Sequence, residues 1–258
     1  MQNTDQETYL TTSQAAEILN VSLTTLKKFI YQGRIRTLKT PGGHHRILKS
    51  DLLKMTDIHT LQVLSDSVVD KALWGVAKEF INILEKKLEF SHGHSAAVAK
   101  LSLKLGQQLE FADEQLSRLQ MAAFLHDIGK FWIKADILNK PSRLTSEEYT
   151  QVKTHPTLGS EILESMKPLR QLSVIVRQHH ERFDGNGYPN GLKGEEISRE
   201  ARVIALADAF EVMTSTHSYK RTLSLPEAYA EVEKYSGTQF DPEVVKVFFD
   251  LYRKNRLR

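Results

Sequence analysis

The segment AAFLHDIGK sets His126 and Asp127 side by side at the polar end of an otherwise apolar helix, with Lys130 three to four residues on and over the same face. Burying an imidazole, a carboxylate and an ammonium so close to a core helix is costly unless something pairs with them, and a metal ion is the economical partner. Alone, an HD dipeptide is weak ground, because a single histidine more often serves as a hydrogen-bonded structural residue than as a ligand. Its company changes the balance: His94 in SHGHSAAVA, His155 in KTHP, His179 and His180 in RQHHERFDGNGYPNGL, and Asp208 in IALADAF. The chain has no cysteine, so disulfides, thiolate metal sites and a cysteine nucleophile are excluded and any metal must be held by histidine and carboxylate. Such donors suit Fe, Mn, Zn or Ni rather than calcium, and there are more of them than one ion requires. Two ions sharing Asp127 as a bridge, at the roughly 3.5–4 Å separation of binuclear hydrolases, would use them fully.

Helices must position these side chains. From about Ser91 to Arg258, helical spacing runs nearly throughout: HSAAVAKLSLKLGQQL, DEQLSRLQMAAFLHDIG, SEEYTQVKTHPTLGSEIL, PLRQLSVIVRQHH, REARVIALADAFEVMTS and LPEAYAEVEKY. No strand alternation of useful length interrupts them, so an all-α, bundle-like core is expected. Upstream, Thr56 to Phe90 carries Leu61, Leu64, Val68, Ala72, Val76 and Ile83 at spacings mostly of three or four. This reads as a long connecting helix, whose stripe either pairs with a second copy of the chain or packs against its own C-terminal domain.

The first 55 residues are of another kind. TTSQAAEIL reads as a short helix with Ala15, Ala16 and Leu19 on one face. After a tight turn, Ser22 caps a second helix from Leu23 to Tyr31 with Leu26, Phe29 and Ile30 at helical spacing. RIRTLKT and HHRIL then read as two strands joined at Pro-Gly-Gly, with a last helix starting near Ser50 or Asp51. This segment holds eight basic and four acidic residues, leaving 27 basic and 28 acidic beyond it, so the net charge of +3 originates at the N-terminus. Seven basic residues and no acid lie between Thr24 and Lys49, which suits a phosphate-facing surface and equally a solvated basic face.

Residues 8–55 resemble the small winged helix-turn-helix DNA-binding domains of the excisionase and MerR-like families, most specifically in the wing sequence TPGGHHRI. The resemblance implies that the second helix enters the major groove and the wing follows the backbone. By position, Ser22, Thr24, Thr25, Lys27 and Lys28 would face DNA, and Arg34, Arg36, His44, His45 and Arg46 would serve the wing. His44 and His45 are read as polar wing residues in preference to metal ligands, since no carboxylate in their motif completes a coordination shell.

Across about residues 70–250 the ordered motifs HDIGK, ILNKPSRLTSEEY, KTHP, HHERFDGNGYPNGL and LADAFEVMTS are similar to the HD superfamily of metal-dependent phosphohydrolases, and more narrowly to its HD-GYP branch. That resemblance implies hydrolysis of the second messenger cyclic di-GMP to the linear dinucleotide, and onward to GMP in some cases. It further implies that His94, His126, Asp127 and Asp208 hold one metal and Asp127, His155, His179 and His180 the other, with Lys130 neutralising charge on the phosphoryl oxygens. In the glycine-rich loop, Asp184-Gly185 and Asn186-Gly187 are read as turn residues tolerant of positive φ, with Pro189 stiffening the exit. Glu181 and Arg182 are expected to pair locally, and Tyr188 either stacks on a guanine or serves the loop itself.

Two departures stand out. A glutamate that gives some members a third metal is replaced by Phe90, with Glu89 one position off, which favours a binuclear site. Where members carry a phosphate-gripping arginine and then a basic residue three on, this chain has His217 and Lys220, followed by Arg221. Loss of a bidentate arginine weakens phosphate recognition.

At 258 residues, 40% of them hydrophobic and 26% charged, the chain is expected to be mainly α. The expected layout is a winged helix-turn-helix in residues 1–55, a helical linker and dimerisation element in 56–90, and an all-α HD-type domain in 91–258, the family match starting near 70. No apolar run reaches a membrane span's length and MQNTDQETYL lacks a signal-peptide layout, so a cytoplasmic address is expected. The leading expectation is a phosphodiesterase with two divalent transition-metal ions, Fe or Mn before Zn or Ni, acting on cyclic di-GMP and coupled to double-stranded DNA binding as a homodimer. The rival is a transcription regulator that senses the cyclic dinucleotide without turnover. A third reading keeps the chemistry and changes the substrate to another cyclic dinucleotide or phosphoester.

Overall fold

In the N-terminal unit, Thr11 and Gln14 exchange hydrogen bonds as a capping box: the Thr11 amide donates to Gln14 Oε1 and the Gln14 amide to Thr11 Oγ1. That reciprocal cap ends strand β1 (Tyr9–Thr11) and starts helix α1 (Thr12–Leu19). The computed structural model describes residues 9–19, 22–31, 35–40, 42–49, 68–88, 93–215 and 222–253. Helix α2 (Leu23–Tyr31) follows, then strands β2 (Leu38–Lys39) and β3 (His45–Leu48), which form the expected hairpin in antiparallel register Leu38 to Arg46 and Lys39 to His45. Gly43 turns it with φ of +78°, a conformation that a side chain would strain. The sequence reading missed β1, which pairs antiparallel with β3 and makes a three-stranded sheet of order β1-β3-β2. Three residues are too few for alternation to register, and tertiary pairing alone makes them a strand. Leu10, Ala15, Ala16, Leu26, Phe29, Ile30, Ile35 and Ile47 close the core of this unit. The expected helix after Ser50 lies outside the described residues.

Residues 1–63 and 64–258 form separate compact units. The second begins, among the described residues, with α3 (Val68–Lys87), which buries Trp74, Ala77, Ile81 and Leu84, with Leu88 just beyond its end. Trp74 meets Phe124 edge to face at 5.7 Å. The face that the sequence pattern singled out lies elsewhere: Val76 and Ile83 are exposed, with Phe80 between them. The buried face centres instead on Trp74 and Ile81.

Helix α4 (His94–Gln108) packs along α5 (Asp113–Leu125). A 3-10 helix (Ile128–Trp132), the short α6 (Ala135–Leu138), α7 (Ser146–Val152), α8 (His155–Ser165) and α9 (Ser173–Gln178) follow. Then come α10 (Arg199–Thr214), α11 (Leu225–Lys234) and α12 (Pro242–Arg253), the last absent from the sequence reading. The stretch SEEYTQVKTHPTLGSEIL, expected as one helical run, is two helices. Thr145 and Glu148 cap α7 with a capping box, and α8 restarts at His155 with Pro156 in its first turn, where a missing N–H costs nothing. This break puts His155 at a helix start instead of on a helix flank. Gly129 of the 3-10 helix abuts that start so closely that a Cβ there would stand 2.0 Å from the His155 carbonyl oxygen and 2.6 Å from the Gly159 amide. Only glycine lets the HDIGK turn and α8 meet backbone to backbone.

Candidate metal centre

Each histidine of the expected ligand set stands at or beside a helix end, where backbone groups lack intrahelical partners. His126 follows the last residue of α5, His155 opens α8, and His179 follows α9 with His180 next to it. Three imidazoles use the free carbonyls of the preceding turn in the same way. His126 Nδ1 donates to the Ala123 oxygen at 2.7 Å, His155 Nδ1 to that of Val152 at 2.7 Å, and His179 Nδ1 to that of Val176 at 2.6 Å. A carbonyl oxygen can only accept, so each Nδ1 carries the proton and each Nε2 presents its lone pair inward.

Those lone pairs converge. His155 Nε2 lies 3.2 Å from His179 Nε2 and 3.3 Å from Asp127 Oδ1. His126 Nε2 lies 3.4 Å from Asp127 Oδ2 and 3.8 Å from Asp208 Oδ1. His94 Nε2 approaches His126 Nε2 at 3.3 Å, Asp208 Oδ1 at 3.3 Å and Asp127 Oδ2 at 3.7 Å. His180 packs its ring 4.1 Å from His179 and 5.0 Å from His155. His155, His179 and His180 form one set of donor atoms able to hold an ion, His94, His126 and Asp208 a second, and His126, Asp127 and His179 a third that joins them.

The electrostatics fit cations. His126, Asp127, His155 and His179 are all buried, and Asp127 Oδ1 accepts no hydrogen bond among the described residues. A buried carboxylate oxygen facing bare imidazole nitrogens is repulsive unless positive charge stands between them. Burial pushes His126 and His179 below the usual imidazole range, and burial with the neighbouring His155 takes His180 to about 3. These rings are therefore neutral ligands at physiological pH. Burial opposes ionisation of Asp127, but the Lys130 ammonium outweighs it and holds the carboxyl well below its usual range. Asp208 is held down likewise, against burial, by its hydrogen bond from His94. His94 is pushed up to about 10, since hydrogen bonds to Asp208 and Glu211 overcome its burial. Lys130 Nζ donates to Asp127 Oδ2 at 2.6 Å, the salt bridge that its i+3 spacing allows.

Sequence reasoning passed over two carboxylates around His94. Glu211 Oε2 holds His94 Nδ1 at 2.5 Å, replacing the backbone carbonyl used by His126, His155 and His179. Glu85, buried, accepts from the Gly93 amide at 2.8 Å and the Ser95 amide at 3.0 Å, and so caps the start of α4 that carries His94. The signal for Glu211 was present, because it lies three residues after Asp208 on the same face of α10. Nothing local marks Glu85.

The glycine-rich loop departs from its expected wiring. Glu181 and Arg182 do not pair: buried Glu181 accepts from the Asn190 and Leu192 amides, and Arg182 grips Asp184 and Gln239. A carboxylate can tie the two ends of the loop through backbone donors, and a neighbouring guanidinium cannot compete with bonds already made. Gly185 has positive φ, as do Gly191 and Gly194, but Asp184, Asn186 and Gly187 do not. Gly187 is needed for space, since a Cβ would lie 2.3 Å from the Arg182 amide. Tyr188 stacks 4.9 Å from the His180 ring. His217, Lys220 and Arg221 lie outside the described residues.

In the N-terminal unit Ser22, Thr24, Lys27, Arg36 and His44 are exposed, and His45 and Arg46 are half-buried. Thr12, Lys27, Tyr31, His44 and Arg46 are among the residues lining a cleft of about 440 Å³. His45 has a structural role as well, hydrogen-bonded to Thr37 Oγ1 at 2.7 Å and set edge-on to Tyr31. Arg34 and the side chains of Thr25 and Lys28 lie outside the described set.

A helical scaffold that turns imidazole nitrogens and carboxylates inward from several helix ends is the architecture of one broad group of proteins. Residues 78–244 match the family model described as HD domain, and the chain belongs to that family; residues 9–56 match a helix-turn-helix domain. Over 188 residues the chain is 39% identical to a cyclic di-GMP phosphodiesterase of Thermotoga maritima, the match covering 69% of this chain and 51% of that protein. Over 174 residues it is 34% identical to 3'3'-cGAMP-specific phosphodiesterase 3 of Vibrio cholerae, covering 67% of this chain and 38% of the relative. The chain thus spans about half or less of the length of these curated relatives. The crystal structure of a cyclic GMP-AMP specific phosphodiesterase of V. cholerae shares the fold, with a TM-score of 0.54 at 22% identity over 70% of this chain and 49% of that one. No helix among the described residues is long and apolar enough to cross a membrane.

Proposed function

We propose that the chain is a metal-dependent phosphodiesterase that hydrolyses cyclic di-GMP to the linear dinucleotide, with GMP as a further product, and that its N-terminal unit binds double-stranded DNA. One observation carries the catalytic half: three buried imidazoles, each with Nδ1 committed to a helix-end carbonyl, turn bare Nε2 atoms inward around Asp127, whose Oδ1 faces His155 Nε2 at 3.3 Å and has no hydrogen-bond partner among the described residues. In this reading His94, His126, Asp127 and Asp208 hold one divalent ion and Asp127, His155, His179 and His180 the other, Fe or Mn in preference to Zn or Ni. Bound divalent ions supply Lewis acidity toward phosphorus and lower the pKa of water into the neutral range. The chain's own part is to present His126, His179 and His180 as neutral imidazoles without reorganisation, to keep Asp127 ionised through Lys130, and to exclude bulk water by burial. Lys130 is 2.6 Å from Asp127 and its flexible stem can bring the ammonium to a phosphoryl oxygen as charge develops there.

Residues 1–55 are proposed as the DNA-binding domain, 56–90 as the linker through which two copies pair, and 91–258 as the phosphohydrolase, together a cytoplasmic transcription regulator responsive to the nucleotide. The relative named for 3'3'-cGAMP supports a wider substrate range among cyclic dinucleotides. Chromatography of products from Mn- or Fe-loaded protein incubated with cyclic di-GMP tests the reading, and linear dinucleotide is expected from the native chain and none from Asp127→Ala. Tight nucleotide binding with no product under any of several metals would instead establish the sensor that His217 in place of arginine suggests.

A further inference from the structure

Lys153 follows α7 and stands two residues before His155. Its Nζ lies 5.1 Å from the centroid of the Tyr149 ring and 5.0 Å from that of Tyr188, so one ammonium touches two aromatic faces. Tyr188 in turn stacks on His180. A row therefore runs outward from the proposed metal centre: His180, Tyr188, Lys153 and Tyr149, the last 49% exposed. Two other lysines near the centre are ion-paired, Lys130 to Asp127 and Lys140 to Glu148 at 2.7 Å. Lys153 differs, since among the described residues no carboxylate lies within ion-pairing distance of it. An ammonium held over ring faces keeps its N–H donors available for an anion, and the exposed face of Tyr149 is a stacking surface for a planar base.

We propose that Lys153 and Tyr149 form an outer subsite for the half of a cyclic dinucleotide that is not being cleaved, Lys153 binding the second phosphate and Tyr149 stacking its purine. The inference rests on the phosphodiesterase reading above. A cyclic dinucleotide carries two phosphates joined in one ring, so a cation one aromatic layer outside the metal centre meets the second while the first is presented to the metals. Such a subsite distinguishes cyclic dinucleotides from simple diesters.

The test uses the full, metal-loaded chain with Lys153→Met, Lys153→Arg and Tyr149→Leu. The substrates are cyclic di-GMP and bis(p-nitrophenyl) phosphate, a diester with neither second phosphate nor purine, and equilibrium binding of cyclic di-GMP is measured in parallel. For Lys153→Met and Tyr149→Leu, KM and Kd for cyclic di-GMP are expected to rise about tenfold with kcat within about twofold, and the preference over the small diester to fall in step. Lys153→Arg is expected to restore most of the loss. Unchanged KM and Kd in both variants, or equal losses on the two substrates, would overturn the subsite, the latter marking a structural role in the turn before His155. A native chain that cleaves the small diester but neither binds nor cleaves cyclic di-GMP overturns the substrate assignment and the subsite with it. If the native chain binds without turnover, the Kd comparison alone decides the subsite while the catalytic reading fails.

Discussion

His94 is the one imidazole of the centre whose Nδ1 is held by a carboxylate, Glu211, instead of a backbone carbonyl. Carboxylate partners of this kind raise ligand basicity and fix ring orientation, and their loss typically costs about 10–100-fold in metal affinity or activity. Glu211→Gln is therefore expected to weaken metal retention by about that factor, read by metal analysis after dialysis, with Glu211→Asp recovering part of it. The same ring sets an alkaline limit on the metal-free protein. Its folded pKa, about 10, lies above the ordinary 6.5, so folding takes up a proton between these values; the stabilisation is complete below pH 6.5 and lost as pH rises toward 10. His126, His179 and His180 work in the opposite sense, because unfolding lets them take up protons that the buried rings refuse, and stability falls as pH drops below 6.5. Thermal melts of metal-free protein are expected to peak near pH 6.5 and fall on both sides, and metal is expected to flatten the alkaline limb by replacing the proton on His94. At this scale the donor types were legible, since a cysteine-free chain with HD, KTHP and HHE motifs leaves few other ligands. The tautomers were not, because each depends on a carbonyl that is free only once its helix has ended.

Helix ends place the chemistry, and the contact that matters most joins the HDIGK turn to the start of α8. Gly129→Ala drives a Cβ into the His155 carbonyl and the Gly159 amide, backbone atoms that no rotamer change can clear. A loss of about 1–3 kcal/mol is expected in denaturant melts, with reduced metal binding because Asp127 and His155 are forced apart. Gly75→Ala in α3, where a Cβ meets nothing within 4 Å, is the control and is expected to be neutral or slightly stabilising. Helical periodicity showed nearly every long element, yet it carried the chain through Lys153–Thr154 without a break. Periodicity records which face is apolar; it is blind to a capping box in one helix followed by a proline in the first turn of the next. On α3 it also favoured Val76 and Ile83 over the face that tertiary packing buries, because both faces of that helix carry apolar residues.

For the whole molecule, the basic first unit is expected to bind DNA with an affinity that falls steeply with salt. Lys27→Ala with Arg46→Ala, both lining the cleft of the winged unit, is expected to lower the slope of log K against log salt by about two. Fluorescence anisotropy across a salt series measures it, and an unchanged slope would place DNA on another face or off the protein altogether. Sequence by itself determined the two kinds of segment, the basic winged module and the helical HD domain, because charge distribution, turn chemistry and helical spacing are local properties. It also determined the pool of ligands, since residue type limits which atoms can bind a metal. Only the tertiary structure decided which of those atoms meet. His94 and Glu211 are 117 residues apart and His155 and His179 are 24 apart, and no local pattern encodes contacts set by how helices pack across a buried core. The same packing left Asp127 Oδ1 facing the bare Nε2 of His155 and brought Lys153 between two tyrosines, arrangements that exist only once separate helix ends converge.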